Sequence, residues 1–170
     1  MQQKKLTQSL IKINTLIKKF GIIFLIISIG CLINFYSGYR GVFPLDSFLI
    51  YEAGYKVLNN YHPFKDYWSI TGPVLDYLQF LFFKIFGVNW LSYVLHSTVI
   101  NVFISLLFFF FFLKIGLKKI YSLFYSLGAS ILAYPSIGTP FMDHHAFIFS
   151  LGSLMILFLA IKTNDKKFWL

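Results

Sequence analysis

Residues 42–73 of the chain read VFPLDSFLIYEAGYKVLNNYHPFKDYWSITGP. This stretch is the one long segment that is neither continuously apolar nor a short lysine-rich connector. Of the six acidic residues in the chain, three lie in this stretch and Asp76 follows it closely. Because the runs before and after it are apolar, we expect membrane helices to hold the stretch as a loop at one face of a bilayer.

Composition supports a membrane protein. The 170-residue chain is 58% hydrophobic and 12% charged, whereas a soluble domain carries about 25% charged residues. The basic residues that give the net charge of +9 flank the apolar runs. A nucleic-acid-binding protein would cluster them on one folded face, so nucleic acid is not an expected partner. Cys31 is the only cysteine, which excludes a disulfide framework. Frequent Ile, Phe, Lys and Asn are typical of an AT-rich bacterial coding sequence.

Four apolar runs predict transmembrane helices, at about residues 20–36, 91–113, 120–134 and 144–161. A fifth run, Val74–Phe86, is short and contains three strongly polar side chains, those of Asp76, Gln79 and Lys84. We predict an interfacial helix there. Its apolar side chains at helical spacing are those of Leu75, Leu78, Phe82 and Phe86.

Lysine clusters predict the orientation. They lie in residues 1–19, at 114–119 and at 162–167, and positive residues near span ends stay cytoplasmic. An even number of crossings must then separate each pair of clusters, so the fifth run should not cross. The predicted fold is an all-α polytopic membrane protein with four spans and both termini inside, in a bacterial inner (plasma) membrane. Residues 1–19 form a basic cytoplasmic segment, and 20–170 form one membrane domain with outer loops 37–90 and 135–143.

Within the first outer loop, Asp46 is a suitable N-cap for a helix over Ser47–Leu58. Phe48, Tyr51, Tyr55 and Leu58 would share one face of it. Asn59-Asn60 should end that helix, since Asn tolerates the left-handed conformation. Gly72-Pro73 predicts a second turn before the interfacial helix.

Asp46 and Asp143 are the candidate catalytic residues. The topology brings both carboxylates to the same depth at the outer face, where they could serve as a general base and as an orienting or metal-binding partner. Each also has a structural interpretation that the sequence leaves open. Asp46 could act only as an N-cap, and Asp143 could only mark the end of a helix among lipid headgroups.

The remaining candidates are substrate-binding residues: Lys65, Asp66, Tyr67, Trp68, His144 and His145. For Lys65 and Asp66, the sequence favours a solvated ion pair in the loop over a binding site. Tyr67 and Trp68, with their aromatic neighbours, fit an interfacial belt as well as a platform for a sugar ring. A divalent metal, Mg²⁺ or Mn²⁺, at Asp143 and His144 is a further hypothesis.

Several short motifs resemble the integral-membrane glycosyltransferases of the GT-C superfamily, in the protein-mannosyltransferase and aminoarabinose-transferase-like branch (family 39-like). They are Phe43-Pro44-Leu45-Asp46, the tyrosine-bearing helix with Ala53, Leu58 to Asp66, Gly72-Pro73 and Phe86-Gly87. The resemblance covers most of residues 20–161 and corresponds to the N-terminal portion of such an enzyme. We therefore expect the chain to be truncated, with the residues that hold the donor phosphate outside it.

The resemblance implies that a sugar moves at the outer face from a polyprenyl-phosphate-linked donor to a glycan, lipid or protein acceptor, in glycan or lipopolysaccharide biosynthesis. Asp46 would take the general-base position, and Asp143 the second acidic position. The alternative is a non-enzymatic polytopic membrane protein, either a scaffold or a transporter fragment, or an inactive remnant of such an enzyme. A transporter is expected to place ionisable or helix-breaking residues in the middle of its spans. Apart from His96, Asn101 and scattered glycines, these spans lack such residues.

Overall fold

The computed structural model describes residues 2–41, 48–134 and 137–163, with side chains from Phe20 onward. These residues form six helices and no strand. The helices are α1 (Gln2–Gly38), α2 (Leu49–Leu58), α3 (Pro73–Phe86), α4 (Trp90–Lys114), α5 (Lys119–Leu132) and α6 (Met142–Thr163). The all-helical prediction is confirmed for this part of the chain.

Within the described residues, three segments are long and apolar enough to cross a membrane: Phe20–Gly38, Trp90–Lys114 and Met142–Thr163. They coincide with three of the four predicted spans. The fourth prediction falls on α5, which is helical but has only 14 residues. At 1.5 Å per residue α5 is about 21 Å long, shorter than the hydrocarbon core of about 30 Å.

The long helices meet through polar side chains. The Asn34 amide of α1 donates to the hydroxyl oxygens of Ser97 and Thr98 on α4, each at 2.9 Å. The Asn101 amide donates to the carbonyl oxygens of Gly30 at 3.3 Å and Ser130 at 3.1 Å. Polar side chains inside apolar helices commonly contact other helices in this way.

α5 packs on α4 and α1 through a stripe of small polar side chains, and its opposite face is apolar. Ser122, Ser126 and Ser130 are fully buried. Ser126 donates to the carbonyl oxygen of Ser105 at 2.6 Å, and Ser130 donates to the Ser105 hydroxyl at 2.7 Å. The outward face carries exposed Ile120, Phe124, Ile131 and Leu132.

α2 and α3 pack closely against each other beside one end of α4. A side chain at Gly54 of α2 would collide with the Gln79 side chain of α3, so glycine allows the two helices to approach. Tyr51 joins the helices, since its ring contacts those of Phe83 at 4.8 Å and Tyr93 at 5.2 Å. The two helices therefore form one unit next to α4.

The buried faces of both helices differ from the predicted apolar faces. On α2 the buried residues are Ile50, Ala53, Gly54 and Val57. Phe48 and Tyr55, which the sequence assigns to a shared face, are about half exposed. On α3 the buried set includes two polar residues, Asp76 and Gln79. Polar side chains turn inward here because each finds a hydrogen-bond partner, as described below.

The predicted turns are largely confirmed. Asn60 adopts the left-handed conformation with φ 64°, and Gly72 has φ 85° directly before Pro73 begins α3. α2 begins at Leu49 after the cap residue Phe48, which makes no side-chain capping bond. Asp46 and Ser47, the predicted cap and first helical residue, lie outside the described residues.

Candidate functional site

A cavity of about 190 Å³ separates the start of α6 from α2 and the segment before α3. One wall consists of Leu49, Ile50, Ile70 and Thr71, and the other of Phe141, Met142 and Asp143. Asp143 lies in the first turn of α6 and is exposed. Since a carboxylate at a helix N-terminus is favoured by the helix dipole, Asp143 is well accommodated there. We call this the Asp143 cavity.

A second cavity of about 140 Å³ adjoins the first. Its polar and aromatic lining includes Glu52, Lys56, Tyr67 and Trp68, and we call it the Trp68 cavity. Leu49, Ile70 and Thr71 line both cavities. The two therefore form one continuous candidate site along α2 and the segment before α3.

Charge and aromatic surface are both available in the Trp68 cavity. The Lys56 ammonium lies 2.7 Å from the Glu52 carboxylate, the one ion pair among the residues with described side chains. The same ammonium lies 5.0 Å from the centre of the Tyr67 ring. Trp68 is 79% exposed, so most of its ring is free to contact another molecule.

Asp76 fixes the segment that borders both cavities. Its carboxylate is fully buried and accepts hydrogen bonds from the Tyr67 hydroxyl at 2.8 Å and the Thr71 hydroxyl at 2.7 Å. Burial raises the pKa of Tyr67 above its usual value, and the hydrogen bond to Asp76 raises it further. Tyr67 is thus a neutral hydrogen-bond donor over the physiological range.

A chain of buried polar side chains lies behind the Asp143 cavity. The Nδ1 atom of His96 lies 2.9 Å from Oε1 of Gln79, and its Nε2 atom lies 3.2 Å from Nε2 of His145. Nδ1 of His145 lies 2.9 Å from the Tyr134 hydroxyl oxygen and 2.9 Å from the Phe141 carbonyl oxygen. The chain links α3, α4, α6 and the connection between α5 and α6.

The structure brings together three of the sequence-predicted site residues, namely Asp143, Tyr67 and Trp68. Asp66 and Lys65 are exposed and belong to the lining of neither cavity. The Asp66 carboxylate accepts the His62 backbone N–H at 2.8 Å, and no ion pair between Lys65 and Asp66 forms at 4.0 Å or less. Asp66 therefore acts within its own turn.

The two adjacent histidines occupy different environments. His145 is 1% exposed and is turned toward His96, so its ring presents no surface to a molecule in the cavity. His144 is half-buried and contacts the rings of Tyr134 at 5.2 Å and Phe141 at 5.6 Å. Within residues 20–41, 48–134 and 137–163, no group of three His, Cys, Asp or Glu side chains could hold a metal ion.

Asp46, the predicted general base, lies outside the residues that the structure describes. Sequence reasoning missed Asp76, Gln79, Tyr134 and the pairing of His96 with His145. One signal pointed to the first two: Asp76 and Gln79 are three residues apart in an apolar run, which places them on one helix face.

Comparison with known proteins adds no family. No family model, curated protein or solved structure matches this chain. The described residues therefore define a class and no more: an α-helical protein with three helices fit to cross a membrane and two adjoining cavities, one of them lined by the start of the last of these helices.

Proposed function

We propose that this protein is a membrane glycosyltransferase, or the N-terminal part of one. It would move a sugar from a polyprenyl-phosphate-linked donor to an acceptor at the outer face of a bacterial inner membrane. One observation carries the proposal: Asp143 and Leu49 line the same cavity, and Leu49 follows Asp46 by three residues in the sequence. Asp143 therefore lines a cavity with Leu49, and the resemblance to the GT-C superfamily supplies Asp46 as the second carboxylate of the proposed site.

The surroundings of the cavity support a lipid-linked sugar as substrate. The lining includes an exposed tryptophan, a tyrosine and a lysine–glutamate pair, which suits a ring with several hydroxyl groups. The Asp143 cavity is also lined by the start of the apolar helix α6. A donor could keep its polyprenyl tail in lipid while its sugar phosphate reaches the cavity.

A fourth crossing by α5 is part of the proposal. Its buried face is serine-rich and its exposed face is apolar, the reverse of a helix exposed to water. Four spans, with the lysine clusters inside, would put the Asp143 cavity on the outer side. Although α5 is short, local thinning of the bilayer can accommodate a short span.

In the proposed reaction, Asp46 accepts the proton of the acceptor hydroxyl as its oxygen attacks the anomeric carbon. The bond between that carbon and the phosphate oxygen breaks, and polyprenyl phosphate leaves with the bonding electron pair. Asp143 orients the acceptor. Asp46 later returns its proton to water. General-base assistance of this kind is typically worth about 10²–10⁴-fold in rate.

The test is transfer of a labelled sugar from a polyprenyl-phosphate donor in membranes that contain the full-length protein. Asp46→Asn should lower the transfer rate by about 10²–10⁴-fold, and Asp143→Asn should lower it as well. Asp165→Asn is the matched control, because the topology puts Asp165 on the cytoplasmic side. Membrane abundance should be equal in all of them.

Two outcomes would reject the proposal. The first is transfer that survives Asp46→Asn and Asp143→Asn unchanged, because these carboxylates would then have no catalytic role. The second is a wild-type protein that transfers no sugar from any polyprenyl-phosphate donor. That result would favour the non-enzymatic alternative, in which the cavity only binds.

A further inference from the structure

The two walls of the Asp143 cavity belong to separate parts of the fold. Leu49 and Ile50 belong to α2, which packs tightly on α3 through Gly54 and Gln79. Phe141, Met142 and Asp143 belong to the start of α6. The width of the cavity therefore depends on what connects the α2–α3 unit to α6.

The buried polar chain makes that connection. It starts at Gln79, which lies directly beneath Gly54 of α2. It continues through His96 to His145, two residues after Asp143. Gln79, His96 and His145 are each at most 1% exposed, so water does not compete for these hydrogen bonds and a missing partner would be costly.

At its far end the chain holds the backbone of the cavity wall itself. The Phe141 N–H donates to the Tyr134 hydroxyl oxygen at 2.8 Å. The Phe141 carbonyl oxygen lies 2.9 Å from Nδ1 of His145. The Phe141 N–H is thus held by a side chain of the polar chain, and the Phe141 carbonyl oxygen accepts the His145 backbone N–H at 3.2 Å. Asp143 follows two residues later.

We propose that Gln79, His96, His145 and Tyr134 are positioning residues that fix the spacing between the two walls of the Asp143 cavity. None of them contacts the cavity itself. They act through Phe141 and the first turn of α6, and so hold the Asp143 carboxylate opposite Leu49 and Thr71. The inference rests on the proposed function only in giving Asp143 a substrate, because the spacing can be measured without turnover.

The test is a distance measurement across the cavity by pulsed electron paramagnetic resonance. Spin labels are attached at Ile70→Cys and Met142→Cys, in a protein that carries Cys31→Ala and is reconstituted in lipid nanodiscs. Both labelled positions line the cavity and are accessible, at 65% and 38% exposure. The parent protein should give one narrow distance distribution. His96→Leu should broaden this distribution. His96→Gln, whose side chain can still donate and accept hydrogen bonds, should keep it narrow.

Asn101→Leu is the matched control. Asn101 is a fully buried amide on the same helix and donates to Gly30 and Ser130, away from the cavity. Its loss should weaken helix packing and leave the distance distribution narrow. A distribution that stays narrow in His96→Leu, or that broadens equally in Asn101→Leu, would overturn the proposal.

Tyr134→Phe keeps the test decisive if His96→Leu fails to fold. This change removes only the hydroxyl group that accepts the Phe141 N–H and preserves the ring. The distribution should broaden while the protein remains monodisperse. An unchanged distribution would again reject a positioning role. A failure of sugar transfer alone would reject the proposed function and leave this inference intact.

Discussion

Two helices of the same length, α3 and α5, bury polar side chains for different purposes. Each has 14 residues. α5 turns Ser122, Ser126 and Ser130 inward, and two of these bond to Ser105 of the neighbouring helix. α3 turns Asp76 and Gln79 inward, and these bond to side chains of the preceding loop and of α4. The small serine side chains of α5 permit close packing, whereas Asp76 and Gln79 of α3 position a site.

The stability of the protein should depend strongly on the buried carboxylate of α3. Asp76→Ala should have the largest effect, because it leaves the Tyr67 and Thr71 hydroxyls without their acceptor. We expect a loss of about 2–4 kcal/mol in the free energy of unfolding in bicelles. The control is Asp66→Ala, which removes one exposed bond to the His62 N–H and should cost about 0.5–1 kcal/mol. Equal losses of unfolding free energy in the two variants would show that the buried Asp76 carboxylate is no more important to stability than an exposed one.

The serine stripe of α5 predicts a dependence on side-chain size. Ser126→Leu should cost about 1–3 kcal/mol, because the larger side chain forces α5 away from α4. Ser126→Ala removes only the bond to the Ser105 carbonyl oxygen and should cost about 0.6 kcal/mol in a membrane. The free energy of unfolding of both variants in the same bicelles checks this order. A larger loss in Ser126→Ala would mean that hydrogen bonding, and not size, dominates this face.

The smallest effect concerns the pH dependence of α3 packing. Because burial and Asp76 raise the pKa of Tyr67 above 10.0, the folded protein keeps this phenol neutral where the unfolded chain begins to ionise. Its contribution to stability is therefore present below about pH 10 and is lost as the pH rises through the folded-state pKa. Tyr67→Phe should show a shallower alkaline loss of stability. Identical pH profiles for the two proteins would contradict this.

The sequence was sufficient to predict helices over the long apolar runs and the turns at Asn60 and Gly72. Hydrophobic length and the conformational preferences of Asn and Gly are local properties, which a sequence displays directly. It was also sufficient to single out Tyr67, Trp68 and Asp143, which the structure brings to adjoining cavities.

The sequence could not predict the inward faces of α2 and α3. Apolar spacing assigned Tyr55 and Phe86 to packing faces, yet both are about half exposed. Exposed aromatic side chains cost little free energy at a membrane interface. The spacing of apolar residues therefore does not predict which face of a helix is buried in the protein. The pairing of His96 with His145 depends on a contact between residues 49 positions apart, and no local pattern reveals such a contact.

If sugar transfer takes place in the Asp143 cavity, the donor should protect a cysteine in that cavity from chemical labelling. Met142→Cys and Lys84→Cys are compared in a Cys31→Ala background, by the rate of reaction with an impermeant maleimide. Met142 lines the Asp143 cavity, and Lys84 is exposed on the last turn of α3 outside both linings. If the cavity is the site of sugar transfer, the polyprenyl-phosphate-sugar donor will slow labelling at position 142 and leave position 84 unchanged. Equal labelling rates at position 142 with and without the donor would contradict it.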